Sequence, residues 1–273
     1  MINFPNIHLS QKNFTKIAEA VYRLCGINLL EGKEELIKVR LSKRLRVLGL
    51  ENFEQYVALV ERDEEELAVM IDSLTTNKTS FFREPQHFAY LRECLLPEIN
   101  AARHRMKIWS AGCSSGEEPY SIAITLKEDN PNIEHEDVRI LATDISMKMV
   151  ARIREAQYDE DALRDMPPQL LKKYFVTVLS KTSRSYRVCD AVRAMVHVAQ
   201  LNLMEPWPMR GGFDVIFCRN VMIYFDKATQ ETLVRRFGEL LRPGGHLFVG
   251  HSESLTGLSH SFQYVKPAIY CKV

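Results

Sequence analysis

Gly112-Cys113-Ser114-Ser115-Gly116-Glu117-Glu118-Pro119 lies between an apolar stretch at 107–111 and a helical pattern. Two glycines, two serines and Ala111 let a ligand come close to the backbone. A helix start ordinarily attracts phosphate through its N–H groups and dipole. Here Glu117 and Glu118 occupy that start, so a positively charged group, such as the ammonium of an amino acid, fits better. The Lys-Ser/Thr ending of a P-loop and a full GxGxxG are both missing, which weighs against ATP and NAD. The expectation is an adenosine-type cofactor along 107–126, touching Ala111, Gly112 and Glu117 or Glu118.

Three further sets of polar residues follow apolar, strand-like runs. Asp144, just past 138–143, is placed to accept from both ribose hydroxyls, although an Asp there is also an ordinary helix cap, with Ser146 competing for that role. Asn202 follows a short run and could meet the adenine edge. Arg219 and Asn220 follow 213–218, where the rest of the ligand or an acceptor would pass. An Asn in such a place is by default a turn residue. Gly112-Cys113-Ser114-Ser115-Gly116 also matches the G-x-S-x-G elbow of α/β-hydrolases, with Asp214 or Asp226 and His251 to complete a triad. Two glutamates beside that serine would disfavour an oxyanion, and the loop follows what reads as the first strand instead of a mid-sheet one.

The elements that must position these groups alternate. Strand-like and helical runs follow one another at 107–111 and 120–127, 138–143 and 147–156, 213–218 and 227–241, with a last strand at 246–251. Such alternation predicts an α/β domain whose parallel sheet is covered on both faces and binds ligands at the strand C-terminal ends. The tail 262–273 reads as a terminal antiparallel strand. Short β-like runs at 174–178, 186–189 and 195–199 predict a small antiparallel insertion over about 174–200. Residues 1–76 carry only helical periodicity (Phe14, Ile17 and Val21; Ile37, Leu41, Leu45 and Leu48) and read as an all-α domain. A polar linker over 77–105 joins it to a domain at 106–273.

With 273 residues, 46% of them apolar, neither part needs a covalent staple. Six cysteines without CxxC or CxxxH pairs give no disulfide framework and no metal site, and suit a reducing cytoplasm. No signal peptide or membrane-length apolar run is present, so a soluble intracellular protein is expected. The formal charge of +1 hides a basic run in which five of the nine residues at 38–46 are Lys or Arg. On a helix, Lys38, Arg40, Lys43, Arg44 and Arg46 would spread over the outer side. Without interleaved aromatics this is a poor nucleic-acid platform.

Trp109 to Ser121, the linker Thr76-Asn77-Lys78-Thr79-Ser80-Phe81-Phe82-Arg83, and Phe217 to Phe225 resemble the CheR family of bacterial chemotaxis receptor methyltransferases. The resemblance extends to Pro243-Gly244-Gly245 and His251-Ser252-Glu253-Ser254, over nearly the whole chain. It implies a Rossmann-like class I methyltransferase sheet with a small antiparallel β insertion, preceded by the all-α domain. It implies S-adenosylmethionine as donor, S-adenosylhomocysteine as product, and glutamates of a chemoreceptor's cytoplasmic domain as acceptors. The runner-up is a non-catalytic module that senses these two ligands. By the resemblance, Asn77, Thr79, Arg83, a glutamate of the 117–118 pair, Asp144, Asn202, Leu203, Arg219, Asn220 and Val221 line the cofactor pocket. Arg83 and Tyr224 stand at the transferring methyl, and the basic helix meets the glutamate-rich receptor segment. Members that grip a receptor tail carry a glycine-rich turn in the insertion. Residues 176–186 hold no glycine, which puts tail tethering in doubt.

Overall fold

The computed structural model describes residues 7–29, 32–97, 105–131, 133, 137–180 and 183–273. Residues 98–104 of the expected linker and 181–182 of the insertion lie outside them. The chain falls into two units: residues up to Thr76 with Tyr224–Asp226, and Asn77–Ile223 with Lys227–Val273.

The first unit contains helices α1 (Gln11–Cys25), α2 (Glu34–Leu48), α3 (Phe53–Val60) and α4 (Glu64–Leu74). Ser10, Asn52 and Asp63 cap α1, α3 and α4 by accepting backbone N–H groups that would otherwise be orphaned. Gly26 and Gly49, at φ 71° and 68°, end α1 and α2 in the left-handed conformation that glycine adopts most readily. The periodic apolar residues Phe14, Ile17, Val21, Ile37, Leu41, Leu45, Phe53 and Tyr56 are all buried. The stretch Tyr224–Asp226 belongs here as well. Asn28 N–H donates to the Tyr224 carbonyl at 2.8 Å. Ile27 bridges Phe225 in antiparallel fashion. The Tyr22 hydroxyl donates to Asp226 at 2.6 Å.

The basic run on α2 differs from the expected outer spread. Arg40 donates to the Leu74 carbonyl at 2.5 Å and to the Thr75 carbonyl at 3.2 Å, closing the end of α4. Arg44 forks onto the buried Glu66 carboxylate at 2.8 and 2.5 Å, and Tyr56 donates to the same carboxylate at 3.0 Å. Lys38 pairs with Glu35 at 3.2 Å. Lys43 and Arg46 are exposed. Helical periodicity reports which positions face outward but not which long side chains fold back onto a neighbouring helix.

The second unit holds a seven-stranded sheet in the order β6-β2-β1-β7-β8-β10-β9. Its strands are β1 (Met106–Ala111), β2 (Val138–Asp144), β6 (Val196–Gln200), β7 (Phe213–Cys218), β8 (Leu241–Val249), β9 (Phe262–Lys266) and β10 (Ile269–Lys272). β1 pairs in parallel with β2 on one side and β7 on the other. The chain winds outward from β1 to β2 and β6, then crosses back to β7 and β8. The order therefore reverses between β1 and β7, which opens a crevice at their C-terminal ends. β10 runs antiparallel between β8 and β9, so the expected single terminal strand is a hairpin. Trp109, Phe217 and Phe248 are fully buried, and the last two stack at 4.5 Å. Each such side chain contributes about 1.5 to 3 kcal/mol by leaving water.

The small antiparallel sheet consists of β3 (Gln157–Asp159), β5 (Arg184–Val188) and β4 (Phe175–Leu179), in that order. This corrects the expected insertion at one end: 195–199 belongs instead to the parallel sheet, where Val196–Gln200 forms the edge strand beside β2. Ser180 and Ser183 close the β4–β5 turn, with Ser180 N–H donating to the Ser183 carbonyl at 2.9 Å.

Candidate functional site

Three loops of the second unit converge on the crevice. The loop after β1 is drawn in by β2: Gly112 and Cys113 N–H groups donate to the Thr143 carbonyl at 2.8 and 3.0 Å. Gly112 has φ 69°, and a Cβ there would lie 2.6 Å from the Val221 side chain, so glycine lets the first and third loops touch. Ser114 N–H donates to Asp144 at 2.8 Å. The Ser114 hydroxyl donates to the Asn77 carbonyl at 3.0 Å, not to an imidazole, which removes the hydrolase arrangement. Asp144 is buried, and its other oxygen accepts from Ser146 N–H at 2.9 Å. Ser146 caps the helix Met147–Glu155, leaving Asp144 aimed by backbone donors. A carboxylate has about four acceptor positions, so Asp144 keeps capacity for a diol.

The helix Glu117–Asp129 starts with the two glutamates turned apart. Glu117 accepts from the Ser115 hydroxyl at 2.7 Å and is buried. Glu118 accepts from Ser110, at the end of β1, at 2.6 Å, and pairs with Arg219, just past β7, at 3.0 Å. Glu118 thus faces the strand ends where the sheet order reverses. Burial raises the pKa of both carboxyls; at Glu118 the Arg219 charge opposes it.

Arg219 is the centre of this end of the crevice. Its side chain is 2% exposed and meets Glu84 at 3.0 Å as well as Glu118 at 3.0 Å. It also donates to the Arg83 carbonyl. Burial pushes the Glu84 carboxyl up, but Arg219 and the His251 N–H outweigh it and the pKa lies below the ordinary value. Two carboxylates against one guanidinium leave a formal charge of −1, a match for a cationic ligand group.

The remaining expected residues are placed as follows. Arg83 is half-buried, and its guanidinium donates to the Lys78 carbonyl at 3.1 Å; the Glu84 carboxylate goes to Arg219. Thr79 is half-buried in the same linker, and Ala111 ends β1. Asn202 accepts from Met204 N–H and donates to Glu205, as a turn residue would, while Leu203 is buried beside it. Asn220 has φ 59°, and its N–H donates to Glu253 at 2.8 Å. Val221 packs against Gly112. Tyr224 belongs to the helical unit.

Sequence reasoning missed Ser110, Glu84 as the partner of Arg219, and Glu253. The last accepts N–H groups of Gly250, Asn220 and Ile223 and so fixes the turn after β7. A Cβ on Gly250 would lie 2.4 Å from the Asn220 amide. Among the described residues, non-glycine positive φ occurs at Phe82, Glu84, Ser114, Asn220, Ala156 and Ala268; Ser114 and Asn220 lie in the crevice loops after β1 and β7, and Phe82 and Glu84 in the linker that supplies the partner of Arg219. Strain gathered in that way is a mark of a functional site.

A seven-stranded sheet with one antiparallel strand, a carboxylate at the end of β2 and a cation-attracting crevice define a class I methyltransferase. The chain belongs to the CheR methyltransferase family. The model described as "CheR methyltransferase, SAM binding domain" matches residues 77–271, and "CheR methyltransferase, all-alpha domain" matches 12–75. A probable chemotaxis protein methyltransferase of Rhizobium etli is 45% identical, over 92% of this chain and 96% of that one. Chemotaxis protein methyltransferase 2 of Pseudomonas aeruginosa is 42% identical, over 96% of this chain and 94% of its own length. The chemotaxis protein methyltransferase of Escherichia coli is 39% identical, over 96% and 91%. The larger unit is accordingly an S-adenosylmethionine-binding methyltransferase domain. Among the described residues no helix is long and apolar enough to cross a membrane.

Proposed function

We propose that the chain transfers the methyl group of S-adenosylmethionine to glutamate side chains in the cytoplasmic domain of bacterial chemoreceptors, forming methyl esters. The observation that carries the reading is the family match along both parts of the chain, 12–75 and 77–271. The negative crevice supports it, because the donor is cationic at both its sulfonium and its ammonium. S-adenosylmethionine supplies an electrophilic methyl group when bound.

The residues divide the work. Asp144, aimed by the Ser114 and Ser146 N–H groups, accepts from the ribose hydroxyls. Glu118, not Glu117, faces the cationic end, since it is the one directed to the strand ends. Gly112 and Val221 form the floor between the first and third loops. Asn77, Thr79, Asn202 and Leu203 complete the enclosure, while Arg219 and Asn220 hold it in shape. Glutamate, with a reference pKa of about 4.3, is ionised at neutral pH, so no general base is required. The catalytic task is in-line placement of carboxylate and methyl with water excluded. Arg83 orients the acceptor carboxylate through its planar fork, and Tyr224 through its hydroxyl. Lys43 and Arg46 are the basic residues of α2 left exposed to meet an acidic receptor segment. Arg40 and Arg44 support that helix from within.

The test is to incubate the protein with methyl-labelled donor and receptor cytoplasmic domains. Base-labile label on glutamate is expected. Tight donor binding without transfer would sink the reading. In the same assay Arg83→Ala should lower kcat about a hundredfold, the scale of a misplaced reactant, while donor affinity changes far less. Equal losses in both would leave Arg83 as a cofactor residue only.

A further inference from the structure

We propose that Glu84, His87 and His251 form a binding site for one zinc-type divalent cation. A carboxylate oxygen and two imidazole nitrogens from these residues all lie within 4.8 Å of one another. Glu84 Oε2 and His87 Nδ1 are 3.5 Å apart. Tetrahedral zinc with bonds of about 2.0 to 2.1 Å has ligand atoms about 3.3 Å apart, so one edge of the polyhedron is nearly set. Mixed imidazole and carboxylate donors suit zinc and its neighbours better than magnesium or calcium, which take oxygen.

A second observation is independent of that spacing. His87 is 0% exposed, and neither ring nitrogen has a hydrogen-bond partner. Buried polar atoms are nearly always satisfied, and one left alone costs free energy that a ligand can recover. The ring meets Phe248 edge-on at 5.3 Å, which accounts for its packing but not for its nitrogens. Its other neighbour is His251, edge-on at 5.1 Å. His251 is exposed, giving an entry path and room for a water as fourth ligand.

The surroundings allow the cation. His251 N–H donates to Glu84 Oε1 at 3.2 Å, which fixes the carboxylate with Oε2 towards His87. Arg219 competes for Oε2 at 3.0 Å. When a cation takes that oxygen, Arg219 keeps Glu118 and the Arg83 carbonyl, so no charge is stranded. The site does not depend on the identity of the methyl acceptor. Its ligands come from two segments far apart in sequence, which is why spacing rules gave no sign of it.

The chelator-treated full chain, titrated with zinc in a calorimeter and with Co(II) in a visible spectrometer, tests the site. One tight equivalent is expected, with the intense visible bands of tetrahedral Co(II). His251→Ala should weaken zinc at least tenfold, His251→Cys should retain it, and His260→Ala, at an exposed histidine elsewhere, should match the unaltered chain. His87→Phe, which keeps the packing on Phe248, should lose the equivalent; if that variant does not fold, His251→Ala decides. No tight equivalent, or wild-type affinity and spectrum in His251→Ala, would overturn the proposal.

Discussion

The two ends of the crevice are built on different principles. At the Asp144 end, a carboxylate at a strand terminus is aimed by backbone N–H groups of Ser114 and Ser146. At the Arg219 end, charged side chains from three separate segments, Glu84, Glu118 and Arg219, hold one another in a largely buried cluster. Backbone donors come with the fold and change little when a side chain is replaced. A buried ion cluster stands or falls as a unit, because removing one member strands the rest. Affinity should therefore be separable from stability at the first end and inseparable from it at the second.

Arg219→Met gives the largest expected effect. Two nearby carboxylates lose their common cation, and unfolding in denaturant should show a loss of about 3 to 5 kcal/mol, the usual cost of breaking a buried pair. A loss under about 1 kcal/mol would erase the contrast. Asp144→Ala comes next, through binding. Removing two hydrogen bonds to a charged acceptor, each worth about 1.5 to 3 kcal/mol, should weaken S-adenosylhomocysteine by a hundredfold or more in calorimetry. Unchanged affinity would end the ribose assignment.

The third prediction concerns pH. Burial raises the Glu118 pKa, with Arg219, Glu84, Cys113 and Cys218 as the charged or titratable groups around it. Its folded value lies above its unfolded one, so ionisation costs stability. That contribution is fully present below the ordinary carboxylate range and fades as pH rises through the folded value. A cationic ligand needs the ionised form, so donor affinity should climb over the same interval. Glu118→Gln should flatten the climb in calorimetry across pH; an unaltered slope would assign it to another group, such as Glu253. The smallest effect belongs to α2. Charge reversal at Lys43 and Arg46 should slow receptor methylation a few-fold at low salt, less at high salt, with donor affinity unchanged. Arg40 and Arg44 are poor probes of docking, since their bonds to Leu74, Thr75 and Glu66 tie them to the stability of the helical unit.

The same division explains what could be read in the residues. Strand-to-helix alternation gave β1, β2, β7 and their following helices, and with them Asp144, because a residue's place at a strand end is a local property. The short strand Val196–Gln200 read as part of the insertion because its pairing with β2 follows from chain topology, which periodicity does not carry. Gln157–Asp159, just past the helical run 147–156, gave no strand signal, since three residues are too few for a period and their pairing with β5 is set by the fold. Glu84 adjoins Arg83 in sequence, yet its carboxylate pairs with Arg219, which is distant in sequence and close only in the fold. Glu253 was visible only as part of the resemblance, and its task of accepting three N–H groups needed coordinates.

The guanidinium shared by Glu84 and Glu118 has a consequence for how this crevice changes over generations of mutation. Residues in one charged network typically show interaction energies of about 0.5 to 3 kcal/mol, so substitutions at positions 84, 118 and 219 will not add. A replacement harmful alone becomes tolerable beside its partner, and the order in which changes arrive decides which are reachable. These three positions should therefore change together or not at all.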